Sequence, residues 1–292
     1  MIPHLHLHLE PGERIAARPS PSKTGAGRAE FFRAHSLTAG RQPVTTADVR
    51  RFIADLHQEQ RREGVDYVEV RLSPRRMLSD GWTWQQFVST CDQALRSTTQ
   101  PVVRGILLVN RDSPASFVRW LTAAVAKGLP QTFVGVDLAG DEQAHPDVSG
   151  FAALIDAGRA HDLGVTVHAG EFGGPEHIWR AIDVLGATRI GHGVSAVCSD
   201  ALVARLARDE ILVEVSLTSN RHLGALPDGL RHPAFDLHSA GVPICFNTDV
   251  PRHTGACMAD EVALAAEALG TQTVIAVQSG AARHAFHRST GP

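Results

Sequence analysis

The 292-residue sequence holds no run of about 18 apolar residues, the length a membrane-crossing helix requires, so no part of it is expected to span a bilayer. It also lacks an excess of positive charge: the formal net charge is -3, which leaves no basic face for a nucleic-acid backbone. Its four cysteines, Cys91, Cys198, Cys245 and Cys257, show no C-x-x-C spacing, and the opening MIPHLHLHLE has neither the basic start nor the apolar centre of a secretory leader. These absences point to a cytoplasmic protein with reduced thiols and a small-molecule substrate, without nucleic-acid or membrane partners. No G-x-G-x-x-G follows the first β-rich run, which argues against an open dinucleotide-binding sheet. Lysine is nearly missing: only Lys23 and Lys127 occur among 28 basic residues.

What is present is a repeated alternation of short β-rich runs with longer amphipathic stretches. Strands are expected at about 4–9, 65–72, 102–109, 132–139, 164–169, 188–192, 210–216 and 242–247. Eight strands, nearly all separated by helix-length segments, predict an α/β fold closed into a (β/α)8 TIM barrel, a single domain over 1–292. The stretch from about 11 to 40 is rich in Pro, Gly, Ser and Arg with little apolar period, and reads as an irregular loop over one end of the barrel. His284–Pro292 is expected to be a frayed end.

In a parallel barrel the chemistry sits where strands end and βα loops begin. Reactive residues gather at those places: His6 and His8 on the first strand, His168 and then Glu171 on the fifth, His192 on the sixth and Asp249 on the eighth. With a period of two, His4, His6 and His8 are expected to point to one face of their strand. Three imidazoles and one carboxylate, His6, His8, His168 and Asp249, make a suitable Zn2+ shell that leaves room for water, while His4, deeper in the strand, reads as a core histidine. Many barrel hydrolases hold two metals bridged by a carboxylated lysine at a strand end. Lys23 falls in the irregular loop and Lys127 at a helix end, so one metal per chain is expected.

A single zinc brings the pKa of its water close to neutral, but hydrolysis still requires a proton donor for the substrate and a group to orient the water. Glu171, three residues after a ligand in VHAGE, is placed to donate a proton. His192, in RIGHG, is placed to take the water proton or to stabilise the hydroxide.

These motifs resemble the adenosine deaminase family of the amidohydrolase superfamily. HLHLE at 6–10, GVDLAGDE at 135–142, VHAGE at 167–171, RIGHG at 189–193, TSN at 218–220 and NTD at 247–249 occur in that family's order. YVEVRLSP at 67–74 and ADEVALAAEALG at 259–270 extend the resemblance over nearly the whole chain. By that resemblance His6, His8, His168 and Asp249 bind the metal, and Glu171 protonates the purine ring nitrogen beside the reacting carbon. His192 orients the attacking hydroxide, Gly140 offers its backbone N–H to another ring nitrogen, and Glu10 contacts the sugar. Ammonia is the leaving product. Three features depart from the family pattern. Val250 stands where an acid follows the metal-binding Asp, Pro11 stands where a glycine follows the HLE acid, and the segment before the helix at about 46 is shorter than the family's helical lid. A valine cannot hydrogen-bond a ring nitrogen, which points to a modified or enlarged aminopurine nucleoside such as aminofutalosine or a ring-modified adenosine. The alternatives are hydrolysis of another C–N bond, as in a cyclic amide, and non-catalytic metal or nucleoside binding, against which the pairing of Glu171 with His192 argues.

Overall fold

The computed structural model describes residues 1–9, 28, 31–32, 43–227 and 229–286. Among them, eight strands run β1 (Pro3–His8), β2 (Tyr67–Leu72), β3 (Val102–Asn110), β4 (Phe133–Ala139), β5 (Gly164–Ala169), β6 (Arg189–His192), β7 (Leu212–Val215) and β8 (Ile244–Phe246). All neighbouring pairs are parallel and follow chain order. The ring closes just past β8, where the Asp249 amide donates to the His6 carbonyl at 3.0 Å and the His8 amide donates to the Asp249 carbonyl at 2.9 Å. Closure brings the last strand-end acid beside the first strand-end histidines.

Helices fill the crossovers: α1 (Thr46–Arg62), α2 (Pro74–Ser79), α3 (Trp84–Arg96), α4 (Ala115–Val125), α5 (Ala152–Arg159), α6 (Pro175–Asp183), α7 (Asp200–Arg208), α8 (Leu217–His222), α9 (Ala234–Ser239), α10 (Pro251–Thr254), α11 (Met258–Leu269) and α12 (Thr271–Gly280). The longest, α1, opens on a capping box in which the Thr45 hydroxyl and the Asp48 carboxylate satisfy each other's backbone amides. Its buried Val49, Phe52, Ile53 and Leu56 recur at helical spacing and pack on the outer face of the barrel with Leu7, Val68 and Val70.

The barrel interior is layered. Near the N-terminal end, Leu5, Tyr67, Leu212 and Cys245 pack with Ala281 and Ala285. The segment expected to fray from His284 begins instead as part of this plug: the Phe286 amide donates to Glu69 at 2.7 Å and its ring lies under the Arg189 guanidinium. Residues 287–292 lie outside the described residues.

Above the apolar layer the interior is charged. Arg71 on β2 reaches Asp137 on β4 and Glu214 on β7, strands that are not its sheet neighbours, so these side chains meet across the inside of the barrel. All three are essentially inaccessible to solvent. Isolated buried charges are costly, and here each is matched by a partner of opposite sign.

Alternation does not hold along β1. The register with β2 shifts between His4 and Leu7, correcting the expectation that His4, His6 and His8 share one face. His4 bonds Gln60 of α1 at 2.7 Å and Thr248, whereas His6 turns to Glu214 on β7. Burial lowers the His4 pKa to about 4, in keeping with a neutral core histidine.

Candidate active site at the mouth of the barrel

At the C-terminal ends of the strands three imidazole nitrogens and a carboxylate oxygen converge. His6 Nε2 lies 3.0 Å from His168 Nε2 and 3.3 Å from His8 Nε2, and His8 Nε2 lies 3.1 Å from His168 Nε2. Asp249 Oδ1 is 3.3 Å from both His6 Nε2 and His8 Nε2.

The surroundings decide what these contacts are. His6 Nδ1 sits 2.9 Å from Glu214 and His168 Nδ1 3.0 Å from Asp137. A carboxylate only accepts, so both Nδ1 atoms donate, and the Nε2 atom of a neutral ring then carries a lone pair. Two lone pairs facing each other at 3.0 Å beside a carboxylate oxygen do not form a hydrogen-bond network. They form a donor set that a cation fits. Separations of 3.0–3.3 Å also approach the ~3.3 Å edge of a tetrahedron with metal–ligand bonds of about 2.0–2.1 Å.

Asp137, Glu214 and Arg71 are residues of the site that reading the motifs left without a role. Glu214 and Asp137, each paired with Arg71, hold the His6 and His168 rings in one tautomer, an arrangement common behind metal-binding histidines. The available signal was a set of charges at strand positions where a buried parallel strand is normally apolar: Arg71 in YVEVRL, Asp137 in GVDLAG and Glu214 in LVEV. Ser219 of the TSN motif donates to Asp249 Oδ2 at 2.5 Å. Asn247 of the NTD motif accepts from the Leu5 and His6 amides at 2.8 and 3.0 Å, satisfying the irregular part of β1.

Beside this cluster stand Glu171 and His192. Burial, followed by the nearby charges of Asp249 and Glu142, pushes the Glu171 carboxyl well above its ordinary range, which favours its protonated form. Burial likewise drives His192 well below the ordinary histidine value and leaves it neutral. Both shifts work against an ion pair across their 3.6 Å contact. The Asn220 amide donates to His192 Nδ1 at 2.9 Å and to Glu171 Oε1 at 3.3 Å. For Asp249 burial would raise the pKa, but the surrounding His6, His8 and His192 imidazoles hold it well below the usual carboxylate range. His192 also comes close enough to His6, His168 and Asp249 to form a four-group set with them, so both His8 and His192 are candidates to complete a donor set.

His192 and Asp249 both adopt left-handed backbone, with φ of 67° and 59°, at the ends of β6 and just past β8. Such conformations cost roughly 1–3 kcal/mol in a residue other than glycine, and here they belong to two side chains of the site. Gly140, at the end of β4, has φ of 111°, a conformation glycine adopts freely.

The cluster opens into a cavity of about 440 Å³. His8, His168, Glu171, His192, Asp249, Gly140 and Val250 all line it, so the described residues singled out in the sequence come together. Phe31, Phe32, Met77, Leu108 and Leu223 supply apolar wall. Glu10, Pro11 and most of the 11–40 segment lie outside the described residues.

A parallel eight-stranded barrel with an imidazole and carboxylate cluster at its C-terminal mouth is an amidohydrolase-type barrel. Residues 27–289 match the family described as adenosine deaminase, and the chain belongs to that family. It is 34% identical over 236 residues to an adenosine deaminase of Klebsiella pneumoniae (strain 342), covering 76% of this chain and 67% of that protein. It is 41% identical over 155 residues to an adenine deaminase of Chelativorans sp. (strain BNC1), covering 52% of this chain and 47% of that protein. The match thus spans about half to two thirds of these relatives' length. The fold is that of the adenine deaminase from Arthrobacter aurescens, with a TM-score of 0.82 at 22% identity over 99% of this chain and 94% of the other. It is also that of an amidohydrolase from Burkholderia ambifaria with bound Zn, with a TM-score of 0.70 at 19% identity, covering 97% and 92% of the two chains. Family membership and the converging donor set together support a divalent metal cofactor.

Proposed function

We propose that the protein is a metal-dependent hydrolytic deaminase of an adenosine-like aminopurine nucleoside, holding one Zn2+ through His6, His8, His168 and Asp249. The observation that carries this reading is a largely buried carboxyl, Glu171, that lines the same cavity as His8, His168 and Asp249 of that donor set and whose pKa is pushed up by burial. His8 is preferred to His192 as the fourth ligand because its Nε2 lies within 3.1–3.3 Å of the other three donors.

Zinc held in this shell would lower the pKa of a water toward neutral and so supply the nucleophile. The protein's own groups do the rest. Glu171, in its acid form, donates its proton to the ring nitrogen next to the amino-bearing carbon, which makes that carbon electrophilic. Neutral His192 orients the oxygen that adds there. The amino group leaves as ammonia, and the ring keeps a carbonyl in its place. The Gly140 N–H binds a second ring nitrogen, and Glu10 contacts the sugar. Val250, buried in the cavity wall, offers apolar contact where an acid would read the five-membered ring. This favours a modified or enlarged substrate over plain adenosine.

The test is ammonia release by zinc-loaded protein, with and without chelator, across adenosine, adenine, aminofutalosine and ring-modified adenosines. Chelator-sensitive release from any of these supports the reading. Silence across the panel overturns it, and tight nucleoside binding without turnover would then identify a binder.

A further inference from the structure

Four histidine rings crowd the mouth of the barrel, and what faces each Nδ1 separates their roles. Glu214 and Asp137 face His6 and His168, so the Nε2 atoms of those rings hold lone pairs. His192 Nδ1 faces the Asn220 side chain instead. If Asn220 presents its NH2 group, His192 Nδ1 accepts and the ring proton sits on Nε2, where it can donate into the site but cannot bind a cation. If the amide is turned over, the proton moves to Nδ1, and a bare Nε2 competes with the ligands. The amide's direction is thus a chemical decision.

A residue outside the cavity takes that decision. His232, fully buried ahead of α9, accepts at Nδ1 from the Ala234 backbone N–H at 3.2 Å. A backbone N–H can only donate, and burial lowers the His232 pKa to about 4, so the ring is neutral with its proton on Nε2. That proton points to Asn220 Oδ1 at 3.2 Å. Asn220 is itself fully buried, and its two remaining hydrogens meet Glu171 Oε1 and His192 Nδ1. The direction of every bond in this chain follows from the one donor that cannot be reversed.

We propose that His232 is a positioning residue: by donating to Asn220 Oδ1 it turns the Asn220 amide so that its NH2 orients Glu171 and keeps the His192 proton on Nε2. The consequence for catalysis rests on the deaminase reading; the consequence for the ring does not.

The test uses zinc-loaded protein labelled with 15N-histidine, in which long-range 1H–15N correlations report which ring nitrogen carries the proton, with His192→Gln identifying the His192 signals. Wild type is expected to show His192 protonated at Nε2. His232→Leu removes the donor, and His192 is expected to show Nδ1 protonation, alone or mixed. His232→Gln, whose side-chain amide can replace the Nε2–H, is expected to restore the wild-type pattern. With a substrate in hand, His232→Leu should lower kcat by about 10- to 100-fold with KM changed by less than about threefold, and His232→Gln should recover most of it. If His232→Leu does not fold, Asn220→Asp asks the same question, since an acceptor at that position should draw the proton to His192 Nδ1. Retention of the wild-type His192 pattern in folded His232→Leu, or in Asn220→Asp, overturns the proposal. Because the ring pattern is read without turnover, an inactive protein on every substrate defeats the functional reading and leaves the relay to be judged alone.

Discussion

Two carboxyl groups of the same cavity are pushed in opposite directions by their neighbours. The imidazoles around Asp249 lower its pKa, whereas burial and other acids raise that of Glu171. On the proposed reading this split suits one to cation binding and the other to proton donation. Glu171→Gln is expected to lower kcat by about 10²- to 10⁴-fold while leaving the thermal midpoint and circular dichroism close to wild type, and unchanged ammonia release would remove Glu171 as the donor. The sign of the pH dependence follows from the raised Glu171 pKa. On the proposed reading the acid form is the active one, so kcat is expected to fall as pH rises through the raised Glu171 pKa and the carboxyl ionises. A wall residue sets a separate expectation. Val250→Asp should raise kcat/KM for adenosine by roughly 10-fold or more, the worth of about 1–3 kcal/mol for one buried polar contact. A decrease for adenosine would mean that Val250 does not face the five-membered ring. Val250 was legible as a departure in NTDV; that His192 and Asp249 require left-handed backbone was not, since their φ values arise from how the strand ends bend over the mouth.

At the scale of elements, the strands lie close to where the pattern of apolar runs placed them, because a parallel strand covered by helices is apolar on both faces and stands out between amphipathic segments. The irregularity of β1 did not show in the pattern. HLHLH reads as strict alternation, and the register shift depends on Asn247, more than 240 positions away in the chain, accepting from two consecutive amides. Asn247→Ala should therefore destabilise the fold by about 1–3 kcal/mol for each amide left unpaired, read as a lower urea midpoint at unchanged slope. It should also weaken metal affinity, because His6 is one of the two residues whose amide is held. A midpoint within error of wild type would show that these amides find other partners. The charged residues Arg71, Asp137 and Glu214 were visible inside apolar strands, but their pairing was not, because it joins β2, β4 and β7 across the barrel interior.

Over the whole molecule, the donor set joins β1, β5 and the end of β8, so on the proposed reading cation binding and stability are linked. Adding zinc to chelator-treated protein should raise the thermal midpoint, with a stabilisation of about 4 kcal/mol when free zinc is 1,000 times Kd. His168→Ala should remove most of that rise. A midpoint insensitive to both chelator and zinc would sink the cluster as a metal site. No helix among the described residues is long and apolar enough to cross a membrane.

The sequence by itself determined the barrel and the cast of its mouth. Apolar periodicity is a local property, and in a parallel barrel every strand delivers its last residue to the same end, so His6, His8, His168, Glu171, His192 and Asp249 could be gathered without coordinates. Only the tertiary structure decided what each of them is. Which nitrogen of a ring carries the proton, whether a carboxyl is charged, and which way an amide faces depend on groups brought close by closure from distant parts of the chain: Glu214 behind His6, Asp137 behind His168, His232 behind Asn220. Hydrogen-bond direction and desolvation act over a few ångströms of space, and sequence distance carries no record of them.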